Sequence, residues 1–533
     1  MIARLPLAAR RWLLLACAFS SVLTLGARAE AQALERSIRA LEMNDIDAAD
    51  RALRELSDGE AASPEGGFQR GLVHFYAGRY DAAVRDMEQA VADAPRAAQL
   101  AEWRRLLAWA TSARDITRDF EEARSSDGRY VVRYRPGPDA VLVPYALDAL
   151  AAADRAIQSQ LGIQLPAPIR LEVYPSARTL ADVSSLTLEH IQTTGTVALC
   201  KWNRLMIASP RSLLYGYPWL DTINHELVHL ALSYASRNHA PVWFHEGLAK
   251  LFERTWRGLA PAAYLAPPTE TLLLNAAHEK RLITFERMHP SIAMLPSQED
   301  AALAFAQVVT FLERFRERFG DLGLTRTIRQ LAEGLDVRLA LASVAAEPFG
   351  ELEAQWRATL TKQDRPEGAP SKSKELPMRF VESGATDESL DVAEGRARKH
   401  LRVGDLLWGR RHTLAAAREY STAQRFAPSD PILASRVARA SLAGRDPERA
   451  LAAVEAALRE HPQHAPLHAL RGAALVALAR ANQAYEPLLE AVRLNPFDPE
   501  PHCLMARLDA AASGHSASER AREQRACALL GAH

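Results

Sequence analysis

Two histidines and a glutamate in one short segment carry the clearest chemistry in the sequence. In Thr222-Ile223-Asn224-His225-Glu226-Leu227-Val228-His229-Leu230, His225 and His229 stand at i and i+4. On a helix their imidazoles leave one face about 40° apart and reach a single ion. Neutral imidazoles leave a zinc ion Lewis-acidic enough to lower the pKa of a water to roughly 7. Glu226 lies beside the pair, where its carboxylate can take that proton without binding the ion. A catalytic zinc needs a third protein ligand. Glu246 comes 17 residues after His229, within Trp243-Phe244-His245-Glu246-Gly247-Leu248-Ala249-Lys250-Leu251-Phe252, which reads as a second amphipathic helix. A hairpin of the two helices would carry Glu246 back to the ion.

The two segments together resemble the gluzincin metallopeptidases, most closely the peptidase MA-like group. That group pairs HExxH with a downstream W-x-x-E-G-x-A, matched by Trp243, Glu246, Gly247 and Ala249. The resemblance implies one Zn2+ per chain held by His225, His229 and Glu246, and hydrolysis of a peptide or protein substrate with Glu226 as general base. His245, next to Glu246, would point about 100° away on a helix. A metzincin site is excluded, because it needs Gly three residues after the second His and Leu232 stands there.

Family members also carry an edge strand that pairs with extended substrate. The matching stretch begins at Thr194 and offers Gly195, Thr196, Val197 and Ala198 as substrate contacts, an ordinary core strand being the other reading. One departure stands out. Many gluzincins place an oxyanion-stabilising Tyr well after the third ligand, and at the corresponding place, 59 residues past Glu246, this chain has Phe305. Phe has no donor, and losing one oxyanion donor costs about 10² to 10³ in turnover. Tyr264, His239 and His278 are the candidate substitutes.

The elements that must position these residues form an α+β domain over roughly 116–362. Tyr130–Tyr134, Ile169–Tyr174, Thr196–Cys200 and Arg204–Ile207 read as strands, rich in β-branched and aromatic residues, with an Ala-rich helix over 140–160 and helices dominating after the strands. A repeat with a period of 34 follows. Pro428, Pro462 and Pro496 keep that spacing, with Ala416, Ala450 and Ala484 in one column, Ala423, Ala457 and Ala491 in a second, and Gly404, Ala438 and Gly472 in a third. Small residues in phase let paired helices approach, and the proline ends the second helix. This array resembles tetratricopeptide repeats. Gly71, Ala83, Ala90 and Pro95 repeat the same frame near the N-terminus. The expected fold is therefore mainly α with a small β-sheet: a gluzincin-like domain flanked by TPR-like solenoid segments. The expected division is a signal peptide at 1–29, a TPR-like segment at 30–115, the zinc domain at 116–362, a linker at 363–385 and a TPR array at 386–533.

Arg4, Arg10 and Arg11, the apolar run Trp12–Leu25 and Ala27-Arg28-Ala29 have the layout of a cleaved secretory signal, with Cys17 suggesting a lipoprotein box as a lesser alternative. The 65 basic and 65 acidic residues cancel; removing the signal leaves 61 basic residues and a mildly acidic chain with no global field to attract nucleic acid. Once cleaved, the chain would keep no stable transmembrane anchor and would act in the periplasm or outside the cell. Cys200, Cys503 and Cys527 are too few and too widely spaced for a disulfide framework, although a Cys503–Cys527 bridge is compatible with the sequence. Two readings follow. One is an exported zinc metallopeptidase whose repeats recruit a protein partner or substrate. The other is an envelope scaffold of repeats with a weakly active or inactive zinc domain.

Overall fold

The computed structural model describes residues 33–93, 99–288, 292, 295–364, 378–381, 387–509, 514 and 516–531. The segment read as a signal peptide lies outside those residues, as do Pro95 and most of the 363–385 linker. The chain divides into two compact units between Arg118 and Asp119.

The first unit is helical: α1 (33–42), α2 (Ile46–Leu53), α3 (Asp58–Ala61), α4 (Pro64–Tyr76), α5 (Tyr80–Asp93) and α6 (Leu100–Thr117). Ser63 caps α4 by accepting the Gly66 N–H, and Pro64 opens it, where its missing N–H costs nothing. Ala83 and Ala90 on α5 are buried, and Phe68 stacks on Trp103 of α6 with ring centroids 4.3 Å apart.

The second unit is built on a five-stranded sheet of β1 (Glu121–Arg124), β2 (Tyr130–Tyr134), β3 (Ile169–Tyr174), β4 (Ala198–Lys201) and β5 (Arg204–Ala208), in the order β1-β2-β3-β5-β4. β2, β3 and β5 run parallel, and the outer pairs are antiparallel. β3 and β5 are almost fully buried, and their charged residues Glu172 and Arg204 are buried with them, 3.5 Å apart. Trp202 and Asn203, both at positive φ, close β4 and β5 into a two-residue hairpin. β4 is thereby an edge strand.

Helices α7 (Val143–Leu161), α8 (Ala177–Asp182), α9 (Leu188–Thr194), α10 (Trp219–Ala235), α11 (Val242–Phe252), α12 (Pro267–His278), α13 (Gln298–Ala332), α14 (Val337–Ala345) and α15 (Phe349–Thr361) surround the sheet. α11 packs on α13 through Gly247, where a Cβ would lie 2.8 Å from Leu312 Cδ1 and 3.0 Å from the Val308 carbonyl oxygen. The glycine after Glu246 is a close-packing requirement rather than a hinge. No helix among the described residues is long and apolar enough to cross a membrane.

The helices then pair: α16 (Gly395–Gly409) with α17 (Thr413–Phe426), α18 (Pro431–Ala443) with α19 (Pro447–Leu458), α20 (Ala465–Ala477) with α21 (Ala481–Leu494), and α22 (Pro499–Arg507) with α23 (Ala517–Gly531). Ala416, Ala450 and Ala484 are fully buried between partners, as are Ala423 and Ala457. A Cys503–Cys527 disulfide joins α22 to α23. This array and the sheet domain belong to the same compact unit. The segment leading into α10 lies along the array and the stretch before it: the Leu214 N–H donates to the Arg379 carbonyl (2.9 Å), the Tyr217 N–H to the Leu494 carbonyl (2.9 Å) and Trp219 Nε1 to the Val492 carbonyl (3.3 Å). Tyr145 of α7 meets α22 and α23 in a buried cluster. Its hydroxyl donates to Glu523 Oε1 (2.6 Å), and His502 places Nδ1 2.6 Å from Glu523 Oε2 and Nε2 2.9 Å from the Pro496 carbonyl.

Candidate metal centre

α10 carries His225, Glu226 and His229 on consecutive turns, and α11 returns antiparallel to it with Glu246. The reversal at Ser236–Asn238 uses positive φ at Arg237 and Asn238, and Pro241 caps the start of α11. Asn224, fully buried next to His225, locks the hairpin at its other end. Its Nδ2 donates to the Phe252 carbonyl (2.7 Å) and to Thr255 Oγ1 (3.3 Å).

The hairpin brings three donor atoms together. His225 Nε2 lies 3.1 Å from His229 Nε2 and 3.5 Å from Glu246 Oε2, and His229 Nε2 lies 3.6 Å from the same oxygen. Four-coordinate zinc with bonds of about 2.0–2.1 Å has ligand atoms roughly 3.4 Å apart, so the three atoms have the separations that such an ion requires. Glu226 also comes within reach, its carboxylate and the two imidazoles lying within 4.8 Å of one another.

The electrostatics separate the two carboxylates. Burial alone would raise Glu246, but the His229 and His225 imidazoles override it and hold its carboxyl well below the usual range. For Glu226 burial dominates and pushes the carboxyl up, opposed by the two histidines and by a backbone N–H donated from Cys200. His229 is pulled down by burial and pushed up by the Glu246 charge, with a net rise. His245 is driven down to about 3 by burial and the neighbouring His229, so its ring is neutral. It places Nδ1 3.4 Å from His229 Nδ1. A neutral His245 that accepts there keeps the proton of His229 on Nδ1 and frees Nε2. On the other histidine, Glu253 Oε2 lies 4.0 Å from His225 Nδ1 and is itself held by Lys250.

Asn224, His245, Glu253 and the Cys200 amide are the site residues that sequence reasoning missed as partners. Only the helical spacing of Glu253, two turns after Glu246 on the same face, could have pointed to any of them. The proposed substrate stretch needs a correction. Thr194 ends α9 and Gly195 closes it in the left-handed conformation (φ 71), because the chain must turn there to enter the sheet. Thr196 is a loop residue, Val197 pairs its carbonyl with the Ala208 N–H (2.8 Å), and only Ala198 belongs to β4. With Val197 bonded to β5, ladder alternation turns the backbone groups of Ala198 and Cys200 away from β5, toward the free edge.

Phe305 lies part-exposed on α13. Tyr264 lies under the Arg254 guanidinium, His239 is in the exposed turn after α10, and His278 Nε2 meets the Gln363 carbonyl. Among the described residues none of these side chains hydrogen-bonds to the His225–His229–Glu246 cluster.

Solved structures, among them the following two, show distant similarity. Native yeast LTA4 hydrolase is 12% identical with a TM-score of 0.28, covering 78% of this chain; the chain spans 66% of that hydrolase chain. The APC/C hetero-tetramer Cut9–Hcn1 is 13% identical with a TM-score of 0.21, covering 95% of this chain and 98% of that one. No curated protein sequence matches significantly. Residues 148–362, which hold α10, α11 and the β4–β5 hairpin, match the family model of the Peptidase MA superfamily.

Proposed function

We propose that the chain is an exported zinc metallopeptidase. The observation that carries this reading is the convergence of three donor atoms 3.1–3.6 Å apart beside a buried fourth group, Glu226, within the region matching the Peptidase MA superfamily. His225, His229 and Glu246 would hold one Zn2+. The bound ion would supply Lewis acidity to the scissile carbonyl and to water. Glu226 takes the proton of the attacking water on its carboxylate and returns it to the leaving amine, a role suited by a carboxyl that burial has raised. The outward backbone groups of Ala198 offer an edge to an extended peptide.

Export is supported by the signal-like segment and by the Cys503–Cys527 disulfide, which suits an oxidising compartment. The repeats serve protein recognition through the surfaces that the sheet domain leaves open. A second reading, a repeat scaffold with a weakly active zinc domain, is favoured by Phe305 in place of a hydroxyl donor.

Metal analysis of the purified protein with Glu226→Gln alongside tests the proposal. Both proteins are expected to hold about one zinc per chain, with hydrolysis of an unstructured protein substrate falling about 10²- to 10⁴-fold in the variant. A metal-free wild type removes the premise. Equal hydrolysis by both proteins removes the role of Glu226.

A further inference from the structure

The C-terminal array touches the helix that carries the motif histidines at that helix's first turn, through a continuous chain of charged groups. Asp221, one turn before His225, is buried and accepts from Arg257 twice, Nε to Oδ1 at 2.8 Å and Nη2 to Oδ2 at 2.9 Å. Trp256 Nε1 adds a third donor to Oδ1 at 2.8 Å. The remaining Arg257 nitrogen, Nη1, donates to Glu490 Oε2 at 2.8 Å, and Glu490 stands on α21 of the array. Arg493, one turn further along α21, holds Glu490 from behind at 3.2 Å. Asp221 and His225 share a helix face, so a shift of the first turn moves His225 with it.

A second route runs through the backbone. Gly216 adopts a left-handed conformation (φ 69), and a Cβ there would sit 2.2 Å from the Leu494 carbonyl oxygen at the end of α21. Tyr217 bonds the array through its N–H and the sheet through its hydroxyl, which donates to the Ala208 carbonyl. It lies close enough to Glu226 for that charge to act on its hydroxyl. Both routes end on the helix of His225 and Glu226, and both begin on α21.

We infer that the C-terminal array is a positioning element of the metal centre, with Glu490 acting through Arg257 and Asp221 to set the register of α10. The inference rests on the metallopeptidase reading for its chemistry, but not for its geometry. Groups that orient metal ligands from outside are worth 10- to 100-fold in affinity or activity. The array is therefore more than a recruiting surface: α21 is spent on holding the chain's own residues.

The test uses the full chain. Glu490→Gln is expected to weaken zinc about tenfold in chelator competition, to lower kcat about tenfold with KM unchanged, and to speed amide exchange over residues 219–226. Glu486→Gln is the control, because Glu486 is exposed on the same helix and bonds Arg493 rather than Arg257. Gly216→Ala is expected to act in the same direction and more strongly. Gly162→Ala measures the cost of a left-handed alanine by itself, since nothing lies within 4 Å of a Cβ there. A folded Glu490→Gln protein with wild-type zinc affinity, kcat and exchange overturns the inference, and so does a Gly216→Ala protein no worse than Gly162→Ala. If the wild type holds no metal, the metallopeptidase reading fails by itself, and exchange over 219–226 decides the coupling.

Discussion

The second unit contains a fully buried and a half-buried cluster of histidine and glutamate that differ in where their atoms point. Around Glu523 every group has a complementary partner: the Tyr145 hydroxyl donates to one oxygen, His502 Nδ1 meets the other, and His502 Nε2 meets the Pro496 carbonyl. Arg522 completes it, bonding Glu523 Oε1 at 3.1 Å and lying 4.2 Å from the Tyr145 ring centre. Around Glu246 two imidazole nitrogens and a carboxylate oxygen face one another at 3.1–3.6 Å. Three atoms with lone pairs converging on one point suit a cation between them. The same residue types therefore give a saturated clamp between helices in one place and a metal-shaped vertex in the other. The distinction is geometric and extends to exposure: the His502 and Glu523 side chains are fully buried, whereas those of His225, His229 and Glu246 stay 15–23% exposed.

Removing the carboxylate from each cluster separates them most sharply. Glu246→Ala is expected to lose the bound metal altogether, an effect beyond the roughly 10- to 100-fold of an outer partner, while the fold persists; metal content with circular dichroism measures both. Glu523→Ala is expected to leave metal content intact and to cost about 3–5 kcal/mol of stability, read by denaturant unfolding, because it leaves His502, Tyr145 and Arg522 buried without their anion.

The pH dependence sharpens the same contrast. Burial would raise Glu523, but His502 outweighs it and holds the carboxyl below its ordinary value. A depressed folded pKa means that the stabilisation is complete above roughly pH 4.3, the ordinary glutamate value, and is lost as pH falls through the lower folded one. Wild-type stability should therefore drop below about pH 4, with a shallower drop in Glu523→Gln. An identical acid limb in the two proteins would place the acid sensitivity elsewhere. The smallest expected effect is at His245. His245→Phe should weaken zinc by about tenfold, with unfolding changed little, because it removes the neutral partner of His229 Nδ1 but keeps the packing.

Much of this architecture was legible in the residues. Tyr130–Tyr134 and Ile169–Tyr174 announce strands through β-branched and aromatic runs, and the structure has β2 and β3 over those same residues. The alanine columns at 416, 450 and 484 announce paired helices because a close helix approach demands a small residue at each contact. The stretch before β4 misled: Thr196–Cys200 reads as a strand from its first residue, but Gly195 ends a helix and β4 starts at Ala198. A left-handed turn at a glycine leaves no mark in the composition around it.

The sequence by itself determined the spacing of His225 and His229 on one face and the presence of Glu226 between them, because a helix converts a separation of four into proximity. It also determined the repeat period, which is a local property of each helix pair. Only the tertiary structure decided that Glu246 Oε2 stands 3.5 and 3.6 Å from the two imidazoles, that Cys503 meets Cys527, and that Glu490 reaches Asp221 through Arg257. These contacts join residues from 17 to 269 positions apart. No periodicity links such positions: their meeting depends on how helices and strands stack, and that is settled by burial of the whole core rather than by any one segment.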